Sequence, residues 1–407
     1  AKLYFRNLVN DSNFTSAIQL GATIFAPASS ITFSGFTATN GSNGNWFYWL
    51  VIDANASIGN GVILDADYTA SVGSGTPTFM NGAPPINPTG FRFTGRNYLI
   101  GTGEQYPNIK ETADAISRVD YDGADDIFME LTANYAPANE PQIVFKNHTG
   151  PATITIRPES LQAGKITSGD PGSGIYFIGF SAGVQKIILD GRPGGIGTTR
   201  EWTIRNTRST SIIAGAIAFI DAASANTLAY LNIEAANTVE GIVAFSTSAG
   251  ASGNNNNTLS NCLIKPTAAG IGVTIVGVYS SGTAGRNNSG NTIDNCEFSN
   301  ILANSAGSSH ISIVANSDSW NITNNSFYNT TNFSGVTVSY SIIFIGAGGG
   351  YTVTGNYIGG QAKLCGGTAM VVNSSSDFNG INTNGLSGAA CIISGNTIAN
   401  ISNTTTS

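Results

Sequence analysis

Carboxylates are the side chains of this chain that could do acid–base chemistry, and its second half contains few of them. Residues 202–407 hold seven acids: Asp221, Glu234, Glu240, Asp294, Glu297, Asp318 and Asp377. Glycoside hydrolysis needs two carboxyl groups held about 5–10 Å apart. No two of these acids occupy the same place in the repeated phrases described below, although residues distant in sequence could still converge. The sequence therefore predicts no catalytic residues.

Four aspartates form the densest acidic cluster, in the stretch DYDGADD. They are Asp120, Asp122, Asp125 and Asp126. Calcium binds oxygen-rich loops of this kind, but the full EF-hand pattern and its closing glutamate are absent. Two interpretations stay open, a calcium site and a solvated turn, and we favour the turn. We therefore predict no metal site.

The other reactive side chains also lack a catalytic arrangement. His148 and His310 are solitary, with no neighbouring Ser and Asp in the order of a triad. The four cysteines form no C-x-x-C pattern, which argues against a zinc site. We predict no cofactor.

The composition excludes several classes of protein. The chain has 407 residues, a net charge of −7, only 10% charged residues and no Lys/Arg cluster. Nucleic-acid binding needs a dense basic surface, so no such partner is expected. No apolar run reaches about 18 residues, so no membrane-spanning helix is expected. No secretion signal is visible in the first residues, AKLYFRNLVN, although one could already have been removed.

A short phrase recurs in the second half of the chain. It reads NTLSNCLI at 257–264, NTIDNCEF at 291–298, WNITNNSF at 320–327, YTVTGNYI at 351–358 and CIISGNTI at 391–398. The third and eighth places are apolar, and the fifth holds only Asn or Gly. Five aligned copies indicate an internal repeat. Strand periodicity without intervening helices excludes helical solenoids and favours a parallel β-helix over a propeller.

The sixth place of the phrase would form a column along such a helix, at about 4.8 Å per coil. The column comprises Cys262, Cys296, Asn325, Asn356 and Asn396. The amides would form a hydrogen-bonded ladder that the two thiols continue. These thiols would come within disulfide range, but parallel Cβ vectors favour two buried free thiols. Cys365 and Cys391 are a second candidate disulfide.

The chain divides into two regions with different residue patterns. Residues 1–95 contain short strands bounded by Gly, Asn, Ser or Pro, which is typical of a small β-sandwich-like module. Residues 96–407 would form the parallel β-helix. Near its start, apolar residues at helical spacing predict a cap helix over 107–119. The predicted fold class is all-β.

The second region resembles the secreted right-handed parallel β-helix proteins of Bacteroidota, which are pectate-lyase-like in fold. The resemblance is carried by YLIGTGEQYPNIKETADAI (98–116), GPATITIRP (150–158), IILDG (187–191) and TIRN (203–206). It implies a right-handed coil with a short α-helical N-terminal cap. It also implies export by the type IX secretion system, as for adhesins and gliding-motility proteins of the cell surface. Such proteins end in a sorting domain, so we expect more protein to follow Ser407.

These observations together predict a non-catalytic adhesin or structural stalk, secreted or displayed on the cell surface. Its expected partners are glycans, surfaces, other copies of itself and components of the secretion system. Two alternatives stay open: a subunit of an extracellular fibre, and a polysaccharide lyase or glycoside hydrolase.

Overall fold

Three long parallel sheets form the faces of a coil in this computed structural model. The structure describes residues 2–7, 18–20, 46–51 and 97–403, apart from residues 119–123, 173, 175, 209–214, 237–239, 268–275, 302–307, 332, 337–339 and 375–377. Neighbouring strands in each sheet come from successive coils and pair in parallel. The predicted all-β, right-handed parallel β-helix is confirmed.

The strands of each sheet follow one another at one per coil. Sheet one contains Asn97–Ile100, Ile127–Leu131, Ile154–Pro158, Ile187–Asp190, Thr227–Ala229, Thr258–Ser260, Thr292–Asp294, Asn321–Thr323, Thr352–Thr354 and Ile392–Ser394. Sheet two contains Lys165–Gly169, Trp202–Asn206, Leu231–Ala235, Leu263–Pro266, Glu297–Ser299, Ser326–Tyr328, Tyr357–Ile358 and Thr397–Ile398. Sheet three contains Ile143–Phe145, Tyr176–Phe180, Gly215–Phe219, Val243–Phe245, Val276–Ser281, Ser309–Ala315, Tyr340–Ile345 and Phe378–Thr383.

Shorter pairings decorate the corners of the coil. Asn288–Ser289 pairs with Ser317–Asp318, and Met370–Ser374 pairs with both Phe333–Val336 and Ile401–Asn403. A 3-10 turn, Pro193–Gly195, lies in the connection between sheets one and two.

The chain separates into two compact units, Ala1–Val62 and Ile63–Ser407. In the first unit, Lys2–Asn7 pairs antiparallel with Ile18–Leu20 and with Trp46–Val51. The other strands expected within residues 1–95 lie outside the described residues. The sandwich-like module therefore stays a prediction.

The repeated phrase is the corner between sheets one and two. In the first four copies the third place points into the core from sheet one, and the eighth place does so from sheet two. In the last copy the equivalent residues, Ile393 and Ile398, are exposed. The fifth place turns the chain in a left-handed backbone conformation. These residues are Asn261, Asn295, Asn324, Gly355 and Gly395, with φ of 56°, 51°, 58°, 67° and 64°. Only Asn and Gly occur there because they adopt this conformation at least cost.

A column of aromatic rings runs through the core beneath sheet three. Phe145, Phe180, Phe219 and Phe245 lie on successive coils, with ring centroids 5.4, 4.9 and 4.7 Å apart. Trp320 packs edge-on against the last of them. Parallel stacking in register places like residues over one another, so large rings fill the core without gaps.

The cap helix spans Ile109–Arg118, and Asn108 caps it by accepting a hydrogen bond from the third helical N–H. The buried carboxylate of Glu140 accepts the first two helical N–H groups and the Tyr135 hydroxyl. Burial raises the pKa of Glu140. No helix in the described ranges is long and apolar enough to cross a membrane.

Candidate functional site

Asn325, Asn356 and Asn396 lie over one another on successive coils. The side-chain nitrogen of Asn325 donates to Asn356 Oδ1 over 3.0 Å, and that of Asn356 donates to Asn396 Oδ1 over 2.9 Å. The Asn325 amide also donates to the Ile293 carbonyl and accepts from the Cys296 N–H, at 2.9 and 2.8 Å. The ladder thus pairs buried backbone groups that the turn leaves without strand partners.

A second ladder occupies the first place of the phrase, where sequence analysis singled out nothing. Asn226 donates to Asn257 over 3.1 Å, and Asn257 donates to Asn291 over 3.2 Å; all three are fully buried. The repetition of Asn at 257 and 291 was the available signal. Both ladders bond the corners of successive coils to one another. Their amides are engaged in these structural hydrogen bonds.

Cys262 and Cys296 occupy the column above the amides as free thiols. Cys262 Sγ lies 3.5 Å from the Leu228 carbonyl. It therefore takes the place of the asparagine side-chain nitrogen, which donates to the equivalent carbonyl in the ladder. Burial raises the pKa of Cys296 well above its ordinary value. A reactive cysteine needs an exposed thiolate, so this pair is structural.

Cys365 and Cys391 are not joined, which corrects the disulfide suggested from the sequence. Cys365 sits in a left-handed turn, φ 57°, with Sγ 3.8 Å from the Thr397 carbonyl. Cys391 immediately precedes the last strand of sheet one, with Sγ 3.9 Å from the Ala389 carbonyl. The two thiols lie at different corners of the coil. Cys365 follows a strand of sheet two, whereas Cys391 precedes a strand of sheet one.

Alkylation should divide the four cysteines into two classes. Cys365 and Cys391 are partly exposed, whereas Cys262 and Cys296 are 0% and 1% exposed. We expect iodoacetamide to modify the first two in the folded protein and the other two only after denaturation, as read by peptide mass spectrometry. A Cys391→Ser variant, which should lose one early label, is the control. Early modification of Cys262 in folded protein would contradict this arrangement.

The aspartate cluster gathers no set of metal ligands among the described residues. Asp120 and Asp122 lie outside them. Asp126 accepts a hydrogen bond from the Thr153 N–H over 3.0 Å, which ties this turn to the next coil. The prediction of a solvated turn, with calcium binding as the alternative, stays untested.

Both histidines are buried in the coil. His148 Nε2 lies 3.1 Å from the Ala152 carbonyl. His310 packs edge-on against Phe298 and Phe327, and neither of its ring nitrogens has a hydrogen-bond partner. Burial lowers the pKa of His310 to about 3.

Acid should therefore destabilise this protein partly through His310. In the unfolded chain the imidazole is protonated below its ordinary pKa of about 6.5, whereas the folded protein keeps it neutral down to about 3. The contribution of neutral His310 to the free energy of unfolding is therefore complete above pH 6.5. Below that pH it falls by up to about 1.4 kcal/mol per pH unit. His310→Leu should flatten that decline in urea unfolding at pH 7 and pH 4.

The control for this experiment is Ile311→Val, which alters the neighbouring core without removing a titrating group. Its pH profile should run parallel to that of the wild type. Parallel profiles for His310→Leu and the wild type would contradict the assignment of the imidazole as buried and neutral.

Four basic residues converge on two glutamates on the outer side of sheet two. We call these six residues together with Tyr328 the charged face. It comprises Arg200, Arg205, Glu234, Lys265, Glu297, Tyr328 and Lys363. Arg205, Glu234 and Lys265 are neighbours across three successive coils. Arg205 Nε lies 2.6 Å from the Glu234 carboxylate, and Lys265 Nζ lies 3.4 Å from it.

Glu297 is the second anion of the charged face. Arg200 Nη2 donates to it over 2.9 Å, Tyr328 donates its hydroxyl over 2.9 Å, and Lys363 Nζ lies 3.9 Å away. Burial alone would raise the pKa of Glu297. The hydrogen bond and charge of Arg200 outweigh that effect, so the pKa is lowered. Burial and this carboxylate raise the pKa of Tyr328 to about 12. The site therefore pairs an ionised carboxylate with a protonated phenol.

Arg200 reaches its partners from the loop that enters sheet two. Its Nε donates to the Asn261 carbonyl over 2.6 Å, and its carbonyl accepts from the Asn232 side chain over 3.2 Å. Strand alternation could place Glu297 outside, opposite Cys296. Nothing in the sequence pairs it with an arginine 97 residues earlier.

The charged face combines groups that recognise polymers with groups that could act on them. Cationic side chains bind carboxylate or sulfate groups, and half-buried carboxylates accept hydrogen bonds from hydroxyls. Glu234 and Glu297 are two coils apart, and because Glu297 is in register with Asn232 they are also offset by two residues along the strand, so their backbones lie about 12 Å apart. This exceeds the separation of about 6.5–9.5 Å between the two carboxyl groups of inverting glycosidases, so the chemistry of the charged face centres on Glu297 alone.

Among solved structures, the chain is similar to a pectin methylesterase variant crystallised in complex with a hexasaccharide. The two chains share 11% identity with a TM-score of 0.32, over 63% of this chain and 80% of the esterase. No protein-family model matches the sequence, and neither does any curated protein. The likeness is one of fold. The matched protein is an enzyme, and we withdraw the expectation that this chain is not one.

Proposed function

We propose that this chain is a secreted β-helix protein that binds and processes a polysaccharide on the charged face. The observation that supports it is the convergence of four cations and two carboxylates there. Among the described residues from Arg200 onward, the other basic side chains are Arg208 and Arg286. On a chain of net charge −7, such a local excess of cations favours an anionic glycan.

The proposal assigns distinct roles to the residues of the charged face. Lys265, Arg205 and Lys363 are each more than a third exposed and can contact acidic groups of a sugar chain. Glu297, held ionised by Arg200, is the candidate base, and the oxygen of Tyr328, whose hydroxyl donates to Glu297, can accept a hydrogen bond from a sugar hydroxyl. The reaction class is cleavage, by hydrolysis or by elimination. Export by the type IX secretion system and display on the cell surface belong to this proposal.

The test combines binding and activity on soluble acidic and neutral polysaccharides. Affinity electrophoresis measures retention, and assays of new reducing ends and of unsaturated products measure cleavage. Glu297→Gln should abolish cleavage, and Lys265→Ala should weaken binding about tenfold, as for one lost ionic contact. Binding should also fall with added salt.

The matched control is Glu130→Gln. Glu130 forms an equivalent half-buried pair with Arg157 at 2.7 Å, but on sheet one. It should leave both binding and cleavage unchanged. Failure of the wild-type protein to retain or cleave any of these polysaccharides would overturn the proposal, as would equal losses in the Glu130→Gln control.

A further inference from the structure

A loop beside the charged face holds a leucine in an unfavourable backbone conformation. Residues 361–367, which we call the side loop, follow the sheet-two strand Tyr357–Ile358. Within the side loop, Leu364 and Cys365 have φ of 59° and 57°, in the left-handed region where a side chain with a Cβ is strained. The Leu364 side chain is nevertheless 57% exposed, so burial in the core does not offset this strain.

Hydrogen bonds from the surrounding structure hold the side loop in this conformation. The side-chain amide of Asn400 donates to three carbonyls over 3.1, 3.0 and 3.2 Å, those of Cys365, Gly367 and Thr368. Ala362 and Gly366 exchange backbone hydrogen bonds of 3.1 and 3.2 Å across the loop. Strain that the surroundings impose in this way is found above all at ligand-binding positions, which makes the exposed leucine a candidate for one.

The side loop lies next to Glu297. The N–H of Leu364 donates to Ser326 Oγ over 3.1 Å, and Ser326 is in register with Glu297 on the adjacent coil, about 4.8 Å away. Lys363 Nζ, in the same loop, lies 3.9 Å from the Glu297 carboxylate. One coil before Glu297, the half-buried Leu263 is in register with it on the outer side of sheet two. Along the stacking direction, the candidate base is therefore flanked by a leucine on either side.

We propose that Leu364 packs against the apolar C–H face of a sugar ring while the charged face binds acidic groups of the same glycan. This contact rests on the proposed function and adds to it a determinant of which glycan binds. Contact between the leucine and the C–H groups removes apolar surface from water. A loop already fixed by hydrogen bonds also loses little conformational freedom when the ligand binds. The ligand class is an acidic polysaccharide whose rings present one face of C–H groups, as β-linked rings with equatorial substituents do.

Leu364→Asn tests the proposal, because asparagine adopts the left-handed conformation at lower cost and removes the apolar contact. Affinity electrophoresis with hyaluronan, a carboxylated polymer, and cellulose sulfate, a sulfated one, measures binding. The variant should bind about fourfold more weakly, as for one CH₂ group returned to water. Because the lost contact is apolar, this ratio should be the same at low and high salt. The loss in Lys265→Ala should instead shrink as salt screens the charge. The midpoint of urea unfolding should not fall in Leu364→Asn, whereas a merely structural leucine would lower it.

The matched control is Leu161→Asn. Leu161 is also left-handed, with φ of 66°, and is 93% exposed, but it follows the sheet-one strand Ile154–Pro158, four coils before Glu297. Its replacement relieves the same kind of strain and should leave binding unchanged at every salt concentration.

The outcomes separate this contact from the function on which it rests. Undiminished binding by folded Leu364→Asn would overturn the contact alone, as would an equal loss in Leu161→Asn or a loss that disappears at high salt. So would a concentration-dependent dimer of the wild type that Leu364→Asn abolishes, because a second copy would then cover the leucine. If the wild type binds neither probe but retains another acidic polysaccharide, the proposed function survives and the contact is overturned. If it retains none, both fail.

Discussion

Replacing Asn325 by leucine is expected to lower the free energy of unfolding by about 4 kcal/mol, because each buried group left unpaired costs about 1–3 kcal/mol. The leucine has a similar volume but cannot accept from the Cys296 N–H or donate to the Ile293 carbonyl. Both groups lie at the turn between sheets one and two, where water has no access. Urea unfolding followed by far-ultraviolet circular dichroism measures the loss.

The matched control is Asn321→Leu on the same coil. Asn321 is exposed on the outer side of sheet one, so its replacement should change stability by less than about 0.5 kcal/mol. The difference between the variants isolates the position in the ladder from the change of residue. A stability of Asn325→Leu within that same margin of the wild type would contradict a buried, fully bonded amide.

Phe219→Ala is expected to have a comparable effect, a loss of about 4 kcal/mol, by a different mechanism. Phe219 is fully buried and lies between Phe180 and Phe245, at 4.9 and 4.7 Å between ring centroids. Neighbouring coils are tied by backbone hydrogen bonds and cannot collapse into the cavity. The same urea unfolding assay reports it.

Phe219→Leu is the control for the aromatic column, because it retains most of the volume and loses the ring. It should cost about 1.5 kcal/mol. Equal losses for leucine and alanine would show that the ring contacts, and not the filled volume, determine stability. A negligible loss for alanine would contradict the placement of Phe219 in the core.

The coil could be predicted from the sequence because stacking in register repeats the same local demands. A left-handed turn admits Asn or Gly, so Asn261 and Gly355 stand at equivalent places. A buried column needs apolar residues, so Leu259 and Val353 also occupy equivalent places. The ladder residues were recognisable for the same reason. The cap helix was found from its apolar spacing, although it begins at Ile109, two residues later than expected.

The charged face could not be predicted, because it depends on contacts between residues that no repeat relates. Arg200 lies in a loop outside the repeated phrases, and its reach to Glu297 crosses coils whose lengths differ. Considered one position at a time, the acids show no common place in the repeat, and this led to the expectation, withdrawn above, that the chain is not an enzyme. Strand alternation puts Glu234 and Glu297 on one surface, but only the folded register adds their cations.

Pulsed electron paramagnetic resonance tests the stacking in register most directly. One nitroxide is attached at Thr227, and the second at Asn321, Thr352 or Ile392, in a background of Cys365→Ser and Cys391→Ser. These sites are three, four and five coils away on sheet one. We predict distances of about 14, 19 and 24 Å, rising by one strand spacing per coil. The last two steps span 31 and 40 residues. Distances that follow the number of residues, or that fail to rise evenly with each coil, would contradict the parallel β-helix.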